Sequence, residues 1–280
     1  MQSSDSDITS PQLVGSRYHV INRIGAGGMG IVFRATDRLT GKVVALKQVT
    51  TPGEQLEFAS SGASVDFRLS LAQEFKTLAS MRHPNIISVL DYGFNAARQP
   101  YYTMELLEDA QTIIEAGRGL SLDGKINLLT QLLQALIYLH RRGIIHRDLK
   151  PDNVMVINSQ VKVLDFGLAV ARQFISQEEE GVIGTLAYMA PEVIQSAPAT
   201  EASDMYAVGV MGYEIIAERH PFNVKDIGGL VHNMLMTMPD FDALDVDERI
   251  SEVLMKLLAK DPAERYHSPR PVLDDLAAAI

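Results

Sequence analysis

The sequence predicts an α+β fold, with an antiparallel sheet and one helix in the first hundred residues and mainly helices after them. Three observations lead there. Short β-branched and aromatic runs crowd the stretch from Tyr18 to Met104. A glycine-rich run, Gly25-Ala26-Gly27-Gly28-Met29-Gly30, opens into Ile31-Val32-Phe33 rather than into a helix. Beyond Leu107 the apolar residues recur at helical spacing.

Taken in order, residues 1–17 are polar, rich in Ser and Asp and without periodicity, and read as a flexible tail. Tyr18-His19-Val20-Ile21 leads into the glycine run, and residues 31–35 leave it as a second strand. Leu39-Thr40-Gly41-Lys42 is a turn, and residues 43–47 form a third strand. Residues 50–64 are small, polar and glycine-containing, and read as a loop without an assigned role. Leu71, Phe75, Leu78 and Ala79 give residues 69–81 a helical spacing that His83-Pro84-Asn85 ends. Residues 86–90 and 101–104 complete a five-stranded sheet. Further on, residues 122–141 carry a long apolar face. Residues 204–217 are apolar on nearly every side, as a helix buried in the middle of a lobe is. Residues 250–259 and 272–279 are amphipathic, and two short strands fall at 154–157 and 161–164.

Composition narrows the class. The chain has 280 residues, 46% of them hydrophobic, which suits one two-part unit or two small domains. It has no cysteine, which excludes disulfides and thiolate metal sites. Met1 is followed by Gln-Ser-Ser-Asp-Ser-Asp rather than by a basic and then apolar segment, so secretion is not favoured. The longest apolar-rich stretch, residues 126–139, is too short to span a bilayer. A cytoplasmic location is expected, with no membrane segment in this chain. The net charge of −10, from 25 basic and 35 acidic residues, argues against nucleic acid as the main partner. It fits basic substrate peptides and, more simply, a solvated acidic surface.

Chemistry enters with five short segments in one fixed order: Gly25-Ala26-Gly27-Gly28-Met29-Gly30-Ile31-Val32, Val44-Ala45-Leu46-Lys47, His146-Arg147-Asp148-Leu149-Lys150-Pro151-Asp152-Asn153, Asp165-Phe166-Gly167 and Ala190-Pro191-Glu192. Each alone has a plain structural reading, such as a glycine-rich hairpin, a lysine at a strand end or an Asp-x-Gly turn. A dinucleotide-binding glycine run opens a helix so that the pyrophosphate sits on its N-terminus. This run opens a hairpin, where missing Cβ atoms let backbone N–H groups approach phosphates. Together the five match the signature set of protein kinases. From about Tyr18 to the C-terminus the chain resembles a eukaryotic-type (Hanks-type) serine/threonine protein kinase domain. The style of Gly-Ala-Gly-Gly-Met-Gly, Asp-Leu-Lys-Pro-Asp-Asn and Gly-Thr-Leu-Ala-Tyr-Met-Ala-Pro-Glu is similar to bacterial members.

The resemblance implies a bilobal fold, with residues 18–107 as the small lobe, residues 108–280 as the mainly helical one, and ATP in the cleft between them. It implies transfer of the γ-phosphoryl of ATP to Ser or Thr hydroxyls of protein substrates, with Mg²⁺ as the metal and Mn²⁺ as a substitute. Ile24, Gly25, Gly27 and Gly30 would belong to the ATP site. Val32 and Ala45 would cover the base from above and Met155 from below. Met104 would precede a hinge of Glu105-Leu106-Leu107. Lys47 would hold the α- and β-phosphates, itself held by Glu74, the only acidic residue of the 69–81 helix. Asp148 would accept or orient the proton of the acceptor hydroxyl. Lys150, two residues on, marks the Ser/Thr class and would contact the γ-phosphate. Asn153 and Asp165 would hold Mg²⁺ through hard oxygen donors. His146 is implied to be structural rather than a base. Glu192 would pair with Arg265 and Asp204 would anchor the catalytic loop, both as scaffold.

Arg147 implies regulation by a phosphate on the activation segment. Residues 168–189 hold three hydroxyls, on Ser176, Thr185 and Tyr188. Thr185 matches the substrate-facing threonine that bonds the catalytic Asp and Lys. The usual phosphothreonine region reads Gln177-Glu178-Glu179-Glu180. Two readings stay open: Glu179 stands in for the phosphate opposite Arg147, or the glutamates are solvated and Ser176 is the phosphosite. Autophosphorylation, and further domains after the C-terminus, fit the likeness to bacterial members. The alternative from another class is an ATP-binding regulatory module of pseudokinase type with little catalysis.

Overall fold

The structure is a computed structural model and describes residues 13–27, 30–49, 76–165, 184–222 and 226–279. Glu74, Ser176, Glu179 and the 50–64 loop therefore lie outside the described residues. The chain divides into two compact units, Met1–Arg82 with Ser88–Glu108, and His83–Ile87 with Asp109–Ile280.

The first unit is built on a six-stranded antiparallel sheet. Its strands are β1 (Leu13–Val14), β2 (Tyr18–Gly27), β3 (Gly30–Asp37), β4 (Val43–Val49), β5 (Val89–Phe94) and β6 (Pro100–Met104), in the order β1-β2-β3-β4-β6-β5. Five of these are the strands expected from the sequence. The sixth, β1, comes from residues assigned to the tail, so the ordered chain begins earlier than residue 18. Leu13 pairs with His19 and Val14 with Tyr18 after a reversal through Gly15 and Ser16, both with positive φ. Two residues are too few for an alternation to be legible, yet Val14 is buried.

β5 starts three residues later than the predicted 86–90. Ile86 instead bridges Val163 of the second unit, the N–H of Ile87 donates to the Val163 carbonyl, and the Asn85 amide donates to the Val161 carbonyl and to Gln131. These bonds fasten the strip His83–Ile87 to the second unit, although the sequence reading placed it in the first lobe. Residues 76–80 are helical, within the predicted 69–81.

One face of the sheet carries the core of Val14, Tyr18, Val20, Ala35, Val44, Leu46 and Tyr101, with Phe33 packed on it. Arg17 binds both Asp37 oxygens at 2.7 Å and Asp91 at 2.7 Å, and the Tyr18 hydroxyl donates to Asp91 at 2.9 Å. This network ties the start of β2 to the end of β3 and to β5.

The second unit is mainly helical. A small sheet, β7 (Gln111–Thr112), β8 (Val154–Ile157) and β9 (Gln160–Val163), runs in that order. The helices are α1 (Ile113–Gly117), α2 (Leu122–His140), α3 (Pro191–Ile194), α4 (Glu201–Ala217), α5 (Ile227–Met236), α6 (Glu248–Leu257) and α7 (Pro269–Ala279). Thr112 and Glu115 cap α1 reciprocally, and Ser121 caps α2. α4 is buried on nearly every side, as its composition requires. A Cβ on Gly209 would stand 2.7 Å from the Leu257 side chain, so that glycine lets α4 and α6 approach closely.

Candidate active site

In the first unit the strand register gathers the predicted nucleotide residues. Gly25 lies opposite Val32, Val32 opposite Lys47, and Lys47 opposite Tyr102. Cross-strand partners share a face, and successive residues alternate. Val44 and Leu46 point into the core, so Ala45 and Lys47 take the other face, with Val32, Gly25 and the Ala45 partner Met104. Lys47 is 5% exposed, an unusual burial for a lysine. Gly27 pairs with Gly30 at the hairpin end, and Ile24 is exposed. The backbone N–H of Glu105 donates to the Ser88 carbonyl at 3.1 Å and its carboxylate accepts from the Ser88 N–H at 3.2 Å, fixing the chain just after β6; Leu107 follows without regular structure.

The glycines differ in what demands them. Gly30 has φ +146°, and a Cβ there would lie 2.1 Å from the Gln48 carbonyl oxygen. The fold itself requires that glycine. Among the described residues, a Cβ on Gly25 would meet nothing nearer than Val32 Cβ at 3.8 Å. Packing leaves room there, on the face shared by Lys47.

In the second unit the predicted residues converge around one turn. The 3₁₀ turn Pro151–Asn153 folds Asn153 back, so that its Nδ2 donates to the Asp148 carbonyl at 2.7 Å and to Asp148 Oδ2 at 3.0 Å. That leaves Oδ1 as the amide atom that can ligate a cation. The Leu164 N–H donates to the Asn153 carbonyl at 2.9 Å, which sets Asp165 one residue beyond. Lys150 Nζ stands 3.5 Å from Asp148 Oδ2 and donates to Thr185 Oγ1 at 3.0 Å. Met155 follows on β8 and is half-buried. Arg147 and Asp165 hold φ of 70° and 55°, left-handed values that non-glycine residues adopt at a cost.

Buried side chains hold this loop in place. Asp204, 2% exposed in the first turns of α4, accepts the His146 N–H at 2.9 Å, the Arg147 N–H at 3.1 Å and His140 Nε2 at 2.8 Å. The positive end of the helix dipole favours a carboxylate there. His146 Nε2 faces the Leu164 carbonyl at 2.9 Å. That oxygen only accepts, so Nε2 carries the proton and bonds backbone rather than acting as a base. Glu192 and Arg265 pair through two bonds of 2.9 and 2.8 Å, and Ser203 donates to Glu192 at 2.7 Å. Burial pushes the Glu192 carboxyl up, but the Arg265 and Ser203 bonds outweigh it and its pKa falls below the ordinary value. Arg265 also donates to the carbonyls of Ala259, Ala202 and Lys260.

A small cavity opens beside Asp148, with Leu149, Thr185, Tyr188 and Met189 among its walls. The Tyr188 hydroxyl donates to Glu214 at 2.6 Å, and burial together with the Glu214 charge pushes that phenol far above its ordinary pKa. The sequence reading passed over His140, Ser203, Glu214 and His220. Their bonds span 64, 11, 26 and 33 residues, which no local pattern signals.

Comparisons with known proteins identify the family. The family described as protein kinase domain matches residues 18–274. The serine/threonine-protein kinase PknA of Mycobacterium tuberculosis is 34% identical over 271 residues, covering 94% of this chain and 61% of its own. Pkn1 of Myxococcus xanthus, also a serine/threonine-protein kinase, is 34% identical over 285 residues, covering 96% of this chain and 39% of its own. The chain thus spans about half the length of these relatives. The crystal structure of the Mycobacterium tuberculosis PknI kinase domain superposes with a TM-score of 0.70 at 24% identity, covering 98% of this chain and all of that one, and shows the same fold. No helix among the described residues is long and apolar enough to cross a membrane. Members of the family use ATP and a divalent metal and act on protein substrates. The chain belongs to the protein kinase domain family, in the Hanks-type group of these bacterial serine/threonine kinases.

Proposed function

We propose that the chain is the catalytic domain of a serine/threonine protein kinase, transferring the γ-phosphoryl of ATP to Ser and Thr hydroxyls of proteins. The observation that carries this is the cluster of Asp148, Lys150, Asn153 and Thr185. A carboxylate and an ammonium lie 3.5 Å apart, with an amide steering the carboxylate and a hydroxyl holding the ammonium. In that setting Asp148 accepts or orients the proton of an acceptor hydroxyl, and Lys150 meets phosphate charge.

The residues present fit the nucleotide and its metal. Gly25 leaves space on the same sheet face as buried Lys47, as an approaching phosphate chain needs. Among the described residues no group of three or more His, Cys, Asp or Glu converges on a metal position. A divalent ion would instead draw on the Asn153 amide oxygen, the Asp165 carboxylate and the phosphates themselves, a hard-oxygen set that suits Mg²⁺, with Mn²⁺ as a substitute. The ion's part is to neutralise charge on the phosphates. Ile24, Gly27, Val32, Ala45, Met104, Glu105, Leu107 and Met155 would form the rest of the ATP site, with Glu74 holding Lys47. Arg147 would receive either Glu179 or a phosphate on Ser176. The domain would work in the cytoplasm, phosphorylate itself as well as other proteins, and be followed by further domains in a longer protein.

The test is intact mass after incubation with Mg-ATP and myelin basic protein, alongside Asp165→Ala and Asp148→Asn. Phosphate should appear on the protein substrate or on the chain, and fall by at least about a hundredfold in both variants. ATP binding, seen as a thermal shift, without any transfer would sink the catalytic reading in favour of a regulatory nucleotide-binding module.

A further inference from the structure

We propose that His220 is a positioning residue for the acceptor-binding segment, fixing the Ala187 carbonyl and through it the Thr185 hydroxyl beside Asp148. This rests on the kinase reading and adds to it a residue outside the five sequence segments.

His220 lies in the turn after α4. Its Nε2 stands 3.1 Å from the Ala187 carbonyl oxygen. A carbonyl cannot donate, so Nε2 carries the proton and gives it to Ala187. Nδ1 faces both the N–H of Phe222 at 3.2 Å and its carbonyl at 3.1 Å. A neutral ring accepts from the N–H, and a protonated ring donates to the carbonyl. The bond to Ala187 therefore survives in both states.

The neighbouring residue is fixed as well. The His220 ring meets the Tyr188 ring edge-on, with centroids 5.5 Å apart at 89°. The far end of Tyr188 donates to Glu214, inside α4. Ala187 and Tyr188 are thus held at a backbone oxygen and at a phenol, both from α4 or the turn that follows it. α4 is buried on nearly every side, so the Glu214 hold rests on a packed helix. The Met189 N–H donates to the Leu186 carbonyl at 3.0 Å and closes the turn that carries both held residues, directly after Thr185. Thr185, two residues before Ala187, accepts from Lys150, which faces Asp148. Freeing Ala187 would loosen the hydroxyl that holds Lys150, and with it the surface on which a protein acceptor must seat. The sheet face that carries Lys47 shares no residue with this chain of contacts.

The test compares His220→Ala, His220→Asn and His220→Gln with the unaltered chain. Initial rates of phosphate transfer are measured with myelin basic protein varied at saturating ATP, and with ATP varied at saturating myelin basic protein. Asn can occupy the Nδ1 position and keep the link to Phe222, whereas Gln reaches the Nε2 position and can donate to Ala187. His220→Ala and His220→Asn should lower kcat/KM for the acceptor protein about tenfold with KM for ATP within about twofold. His220→Gln should recover acceptor kcat/KM to within about threefold of the unaltered chain. A purely structural role would instead move both substrates and the unfolding midpoint together. It would also let Asn rescue as well as Gln, and that pattern overturns the proposal. Should His220→Ala fail to fold, the Asn and Gln pair decides alone. Transfer that is indifferent to all three changes overturns the positioning role and leaves the kinase reading standing. No transfer by the unaltered chain overturns both.

Discussion

The two units place their functional groups by different means. In the first, backbone register does it. Pairing of β2, β3, β4 and β6 puts Gly25, Val32, Ala45, Lys47 and Met104 on one face. In the second, buried charged and polar side chains reach across sequence to hold backbone, as Asp204, His146 and Arg265 do, and half-buried His220 does the same. A sheet face tolerates changes that keep the alternation. A loop held by buried bonds is vulnerable at residues far from the chemistry.

The sharpest test of that difference is Glu192→Gln. The substitution keeps shape but leaves Arg265, whose side chain is fully buried, without its countercharge. Removing one member of such a pair costs about 3 kcal/mol, read as a lower denaturation midpoint. The pH dependence has a definite sign. The Glu192 pKa is depressed in the folded chain. Its contribution is present above the unfolded-state value and is lost as pH falls through the folded one. The deficit of the variant should therefore shrink below about pH 4. A deficit that stays constant into acid would mean that the pair is not the source of the stability.

The corresponding network of the first unit should yield a smaller effect. Arg17→Ala strips buried Asp37 of its two-bond partner, but the Arg17 side chain is 30% exposed, so water can follow it in. A loss of about 2 kcal/mol is expected, with ATP affinity unchanged because the network joins β2, β3 and β5 away from Lys47. If Arg17→Ala weakened ATP binding as much as it weakened the fold, the separation of stabilising network and nucleotide face would fail.

These contrasts also explain what could be read from the sequence. The long helices α2 and α4 were legible because their apolar residues repeat over 19 and 17 residues. α5 was not, since Gly228 and Gly229 interrupt the apolar repeat in its first turn; the Asp226 side chain offsets them by accepting the Gly229 N–H at 2.7 Å. α1, five residues long, fell below the length at which periodicity speaks. In the strip His83–Ile87, His83-Pro84-Asn85 reads as a helix stop and β-branched Ile86 and Ile87 as the start of a strand, and only its bonds to Val161 and Val163 assign it to the second unit. Within the candidate site, contiguous segments carry the residues that the proposed chemistry would use, including Asp148, Asn153 and Lys47. Residues that hold those segments from a distance, such as Ser203 and His220, carry no local mark. His220 beside Pro221 belongs to none of the five segments, and only the fold brings Ala187 to it.

The smallest expected effect separates the two demands that fall on one glycine run. Gly30 is required by the fold, since its φ is +146° and an added Cβ would collide with the backbone of β4. Gly30→Ala should cost about 1–2 kcal/mol of stability, because backbone must shift and no flexible side-chain tip can give way. Among the described residues nothing stands nearer than 3.8 Å to a Cβ at Gly25, and Gly25→Ala should leave the unfolding midpoint nearly unchanged. If that open space receives phosphates, the added methyl should instead raise the dissociation constant of ATP by about fivefold, measured by titration calorimetry. The pair of variants thus forms a crossed design, with one change read in stability and the other in ligand affinity. Should Gly25→Ala bind ATP as well as the unaltered chain, the face that carries Lys47 would not be where the phosphates lie, and register alone would have been a misleading guide in the first unit.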